Sequence, residues 1–131
     1  MQVVAALIVN GNRLLVCRRR EGGAFPLKWE FPGGKVERGE GLLEALSREL
    51  REELAIEVNA SEEIYRHNHC YRDGTQVELI FFRVEDYRGE IVNRVFHDIR
   101  WVSREELKQL DFLDGDLPLI ERLVGGGWPG S

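Results

Sequence analysis

Residues 41–54 carry a clear helical periodicity. Leu43, Leu46, Leu50 and Leu54 recur at three- and four-residue steps, the spacing that gathers side chains into one stripe of an α-helix. Around it, residues 3–9 and 14–17 are short apolar runs of β character, and residues 63–71, 75–84 and 99–102 read as further strands. A one-sided helix must bury its stripe, and strands that are apolar on both faces need cover on both. The combination predicts a mixed β-sheet with helices packed on it, an α/β architecture.

Turn chemistry sets the boundaries. Asn10-Gly11 and Asp73-Gly74 each fall between two apolar runs, where such pairs mark hairpins. Residues 21–26 form a loop by their glycines and proline. Residues 29–31 read as a short strand stopped by Pro32-Gly33-Gly34, and residues 56–58 as an extended piece. Ser103-Arg104-Glu105-Glu106 is a capping box that opens a helix to about Leu110. Pro118 suits the first turn of a last helix ending near Val124. The chain of 131 residues shows no internal repeat, so residues 1–124 are expected to form one domain and residues 125–131 a flexible tail.

Composition removes several functional classes. The net charge is 18 − 23 = −5, which argues against binding duplex nucleic acid, since that needs a basic footprint. No apolar run approaches the ~20 residues that span a bilayer, and the first residues read as a strand rather than an export signal. A cytoplasmic location and no membrane partner are the expectations. Cys17 and Cys70 are too few for a disulfide scaffold, and Cys17, inside an apolar run, reads as a small buried hydrophobe. The sequence does not disclose an oligomeric state.

The helix has an acidic side. Glu49, Glu52 and Glu53 stand at i, i+3 and i+4, within an arc of about 100° beside the leucines. Like charges at this spacing each cost the helix ~0.2–0.5 kcal/mol. Glu52 and Glu53 also fall in the last turn, where the helix dipole opposes anions by ~0.3–1 kcal/mol. Arg48 offsets part of this. A divalent cation held by the three carboxylates would remove both penalties, and Mg²⁺, a hard ion that prefers carboxylate oxygen, suits them.

Residues 34–56, GKVERGEGLLEALSRELREELAI, resemble the Nudix box, G-x5-E-x7-R-E-U-x-E-E-x-G-U, in which U is a bulky aliphatic residue. Gly34, Glu40, Arg48, Glu49, Leu50, Glu52, Glu53 and Ile56 fall on the pattern, and Ala55 stands where the family has glycine. A left-handed backbone at that position costs a non-glycine residue ~1 kcal/mol or more, so the helix is expected to end differently here. The run Glu30-Phe31-Pro32-Gly33-Gly34-Lys35 looks like the MutT-type branch.

The resemblance implies a Nudix α/β/α sandwich and metal-dependent hydrolysis of a nucleoside diphosphate linked to another group. For a nucleoside triphosphate, including an oxidised one such as 8-oxo-dGTP, the products would be the monophosphate and pyrophosphate. Other nucleoside diphosphate-linked substrates remain open: ADP-ribose, dinucleoside polyphosphates or nucleotide sugars. So does a Nudix-like module that binds without cutting. Mg²⁺ or Mn²⁺ would be held by Glu49, Glu52, Glu53 and the Gly33 carbonyl, with Arg48 and Glu40 orienting them, and Glu53 either a ligand or the general base. Arg18, Arg19 and Lys35 are candidates to meet phosphate, with Gly34 close to the ligand. Phe31 and Tyr71 would line the base pocket, and Asp116, just before Pro118, would read the base. Ionised, Asp116 only accepts hydrogen bonds, which favours guanine and then cytosine. Relatives often carry a further carboxylate six residues before the equivalent of Trp101. Val95 stands there, leaving His97 or Asp98 as substitutes.

Overall fold

A computed structural model describes residues 1–129. Its elements, in chain order, are β1 (Gln2–Asn10), β2 (Arg13–Arg18), β3 (Trp29–Glu30), β4 (Gly33–Lys35), α1 (Leu42–Leu54), β5 (Glu57–Cys70), β6 (Gln76–Arg88), β7 (Asp98–Val102), α2 (Arg104–Leu107) and α3 (Leu117–Val124). A single 3-10 turn, Asp114–Asp116, leads into α3.

β1 organises the sheet. Along Gln2–Ile8 it runs parallel to β6, with Val4 opposite Ile80. On its other edge it pairs first with β4, Val3 opposite Lys35, and then with β2, Val9 opposite Leu14. β2 carries β3 and β7, and β6 carries β5. The sheet is therefore mixed, as the sequence predicts.

Alternate residues of β1 feed two separate cores. Ala5, Leu7 and Val9 pack with Leu14, Phe81, Leu107, Leu119 and Leu123, under α2 and α3. Val4, Ala6 and Ile8 pack with Leu15, Ile80 and the apolar face of α1. Helices on both faces of a mixed sheet make the expected α/β/α sandwich.

Several boundaries move. The stripe of α1 is Ala45, Leu46, Leu50 and Leu54, all fully buried. Leu43 leaves it, 56% exposed, because the stripe continues through Leu42 at i, i+4 from Leu46. β4 forms where the sequence suggests a turn. Gly-Gly-Lys has little strand propensity of its own, and the pairing comes from the backbone of β1. The pieces at residues 56–58 and 63–71 are largely one strand, β5, bent by irregular register around Ala60. α2 is a single turn that stops at Leu107 instead of Leu110.

The helix does not end differently at Ala55. This residue takes the left-handed conformation, φ 62° and ψ 28°, and its N–H closes on Arg51 O. Of the tail, Trp128 Nε1 donates to Asn12 O at 3.3 Å and Pro129 O accepts from Arg83 at 3.0 Å; Gly130 and Ser131 lie outside the described residues. No helix among the described residues is long and apolar enough to cross a membrane.

Candidate functional site

α1 and β4 build one wall together. Glu49 and Glu53, one turn apart, both face β4. A Cβ on Gly34 would sit 2.5 Å from the Glu49 carboxyl carbon, and one on Gly33 would overlap Val4 O. Gly34 is therefore required by the packing of β4 against α1, and Gly33 by its close approach to the backbone of β1. The Gly33 N–H donates to Glu53 Oε1 at 3.1 Å.

Arg48 ties the acidic face together. Its Nε and Nη2 grip Glu40 at 2.8 and 3.0 Å, Nη1 donates to Glu49 at 2.8 Å, and Nη2 also reaches Lys35 O at 3.0 Å. These bonds, with the Glu37 N–H, hold the Glu40 carboxyl down at about 2. Glu53 is displaced the other way. Burial, then the neighbouring Glu49 and Glu30, pushes its carboxyl well above the ordinary range.

Two hard carboxylates forced together in a half-buried wall are a donor set for a divalent cation. Glu52, the third, is turned to Arg48 at 3.5 Å with 60% of its side chain exposed. In this arrangement no three acidic, histidine or cysteine side chains among the described residues meet at one point. Glu49 and Glu53 fit a cation site, and Glu52 stands at its solvent edge.

This wall opens into a cavity of about 850 Å³. Glu53, Gly33, Gly34 and Lys35 line one side. Arg19, Glu30, Phe31, Tyr71 and Asp116 line the rest, so residues remote in sequence share one chamber. Asp116 is the one charged residue buried among the described residues, at 6% exposure. It takes a backbone hydrogen bond from Phe31, while its Oδ2 has no partner. Burial, reinforced by Glu30, pushes its carboxyl well above the usual range.

Other expected residues are differently placed. Arg18 lies off the cavity, its Nε donating to Leu27 O at 3.0 Å and its guanidinium 5.6 Å from the Trp29 ring. It sits at the end of β2, where the side chain is drawn back over β3. Arg19 lines the cavity but already holds Glu30 through two bonds of 3.0 and 3.2 Å. Phe31 is core as well as wall, edge-on to Phe81 at 6.3 Å. Val95, His97 and Asp98 do not line the cavity, and the Asp98 carboxylate lies 3.6 Å from the Arg100 guanidinium instead. Cys17 is wholly buried, and burial pushes its thiol well up, so it behaves as a small hydrophobe.

Sequence reasoning gave no site role to Glu30. It is part of the short motif before Gly33, but its position between Glu53 and Asp116 depends on cross-sheet neighbours. Phe25 also lines the cavity, in a stretch whose sequence shows only loop character.

The architecture and the acidic helix define a class, and comparison with known proteins agrees. The NUDIX domain model matches residues 1–123, and the chain belongs to the Nudix family of hydrolases. It is 36% identical to the CTP pyrophosphohydrolase of Escherichia coli K12, over 95% of this chain and 91% of that protein. It is 37% identical to the nucleoside triphosphatase NudI of Enterobacter sp. 638, over 83% of this chain and 86% of that one. Among solved structures, the E. coli ORF135 protein superposes with a TM-score of 0.83 at 33% identity, covering 99% of this chain and 94% of that chain. The MutT protein of Methanosarcina mazei Go1 gives 0.80 at 28% identity, covering 93% and 91%. Nudix hydrolases generally use divalent metal ions, and the carboxylate pair on α1 suits that chemistry.

Proposed function

We propose that this chain hydrolyses nucleoside triphosphates to the monophosphate and pyrophosphate, using Mg²⁺ and preferring cytosine nucleotides. The observation that carries the reading is a single cavity in which an acidic metal-type wall, at Glu53, and a buried base-reading candidate, Asp116, face the same space.

Mg²⁺ bound there would neutralise phosphate charge and supply an acidified water. Glu49, Glu52 and Glu53 would hold it, with the Gly33 carbonyl. Arg48 keeps Glu49 in place and, with Glu40, fixes the face of α1. Glu53, buried and drawn to the Gly33 N–H, is also placed to accept a proton. Lys35 and Arg19, which both line the cavity, would meet the phosphates.

Base preference follows from the state of Asp116. A carboxyl so deeply buried favours its neutral form, which donates through one oxygen and accepts through the other. That removes the advantage of guanine's run of N–H donors. Cytosine, with N4–H beside N3, matches a neutral acid, and the similarity to a CTP pyrophosphohydrolase puts it first.

The test is kcat/KM for each nucleoside triphosphate in the parent, Asp116→Asn and Asp116→Ala. An amide carries the same donor and acceptor pair as a neutral acid. Asn should therefore stay within a few-fold of the parent on CTP. Ala should lose about 1–3 kcal/mol of transition-state binding, roughly 5- to 150-fold. If Asn falls as far as Ala, Asp116 acts ionised. If a purine triphosphate is preferred tenfold in the parent, the cytosine assignment is wrong.

A further inference from the structure

The loop between β2 and β3 is more tightly specified than a connection needs. Among the described residues three non-glycine residues have a left-handed φ, and two are here: Phe25 at 49° and Leu27 at 61°. Such conformations are disfavoured for residues with a Cβ and persist only when their surroundings impose them. Both preceding arginines do the imposing. Arg18 Nε donates to Leu27 O at 3.0 Å, and Arg19 Nε to Ala24 O at 2.8 Å. The Arg19 backbone exchanges bonds with Lys28 and Leu27, at 2.9 and 3.2 Å.

What this framework presents is one ring. Phe25 belongs to neither core and is 50% exposed. Its centroid lies 5.7 Å from that of Tyr71, tilted by 43°, and 6.0 Å from the Arg19 guanidinium. Both rings line the cavity that contains Asp116. A half-exposed phenylalanine, fixed by a strained backbone at a cavity mouth and facing a second aromatic ring, suits a flat ligand with a π-face.

We propose that Phe25 is a base-binding residue, whose ring, with that of Tyr71, forms the outer wall of the pocket and stacks on the base whose edge meets Asp116. The inference rests on the nucleoside triphosphate reading. Rings 5.7 Å apart leave no room for a base between them, since stacking needs about 3.5 Å on each side. The base stacks on the pair from the cavity side. Arg18 and Arg19 then act on the substrate's base indirectly, by shaping the loop that holds Phe25.

The experiment measures KM and kcat for CTP, and inhibition constants for CMP and for inorganic pyrophosphate, in the parent, Phe25→Ala, Phe25→Leu and Phe25→Trp. Ala and Leu should raise KM for CTP and the CMP constant about tenfold. They should leave kcat and the pyrophosphate constant within about twofold, and Trp should restore the parent values. Leu preserves apolar bulk, so a loss shared by Ala and Leu but not Trp identifies the π-face. Unchanged CMP binding in Ala and Leu overturns the inference, as does an equal weakening of CMP and pyrophosphate. Absence of triphosphate hydrolysis in the parent itself would remove the functional reading first, and the inference with it.

Discussion

Of the five acids that line the cavity, Asp73 and Asp114 are exposed, and Glu30, Glu53 and Asp116 are withdrawn from solvent. Of them, Glu30 is the one bonded to an arginine, Arg19. The protonation of Asp116 is the residue-level feature with the clearest thermodynamic signature. Its folded pKa is raised by burial above an unfolded value near 3.9. The folded state therefore binds the proton more tightly, and the stability contributed by this group falls as pH rises from about 4 through the raised pKa. Asp116→Asn cannot ionise. It should be more stable than the parent at pH 8, with the gap narrowing towards pH 4.5, measured by urea denaturation at several pH values. A gap independent of pH would mean that Asp116 ionises as easily in the fold as out of it. The box glutamates and Arg48 were legible because one helix carries them, and helix spacing can be read along the chain. Asp116 was legible by its place before Pro118. Glu30 and Phe25 were not, because their roles depend on neighbours, Arg19 and Tyr71, that only the folded sheet and loop bring close. Arg18 misled for the same reason, since its position at a strand end does not say which way the side chain turns.

Among the elements, α1 is the one whose end can be tested directly. Ala55 holds φ 62°, a conformation that costs an L-residue with a Cβ about 1–2 kcal/mol. Glycine would relieve that cost but add about 0.4–1 kcal/mol of unfolded-state entropy. Relief is the larger effect, so Ala55→Gly should stabilise the fold by about 0.5–1 kcal/mol without changing kcat. Urea unfolding reads this, and a loss of stability would contradict the left-handed cap. α1 was readable because its apolar period, Leu43 to Leu54, is sustained over about three turns. β4 was not, because Gly33, Gly34 and Lys35 gain strand geometry from pairing with Val3, Val4 and Ala5. The union of two pieces into β5 was hidden by the polar stretch Asn59-Ala60-Ser61, which the register irregularities absorb.

For the whole molecule, the sandwich matters because β1 serves two cores and two edges at once. One core holds α1 against the sheet, and the other seats α3 and the turn bearing Asp116. The glutamate wall and Asp116 thus meet across one cavity, though 63 residues separate Glu53 from Asp116. Mixed α/β order was readable from the alternation of apolar periods, whereas the double pairing of β1 leaves no mark on its sequence. The reaction proposed for this cavity is metal-dependent cleavage between the α- and β-phosphates of a nucleoside triphosphate. Phosphorus NMR of CTP incubated with the protein tests it, first stripped with EDTA and then given Mg²⁺ or Mn²⁺. Intact substrate is expected without metal, and CMP with pyrophosphate once metal is restored. Formation of CDP and inorganic phosphate, or full turnover after rigorous metal removal, would contradict it.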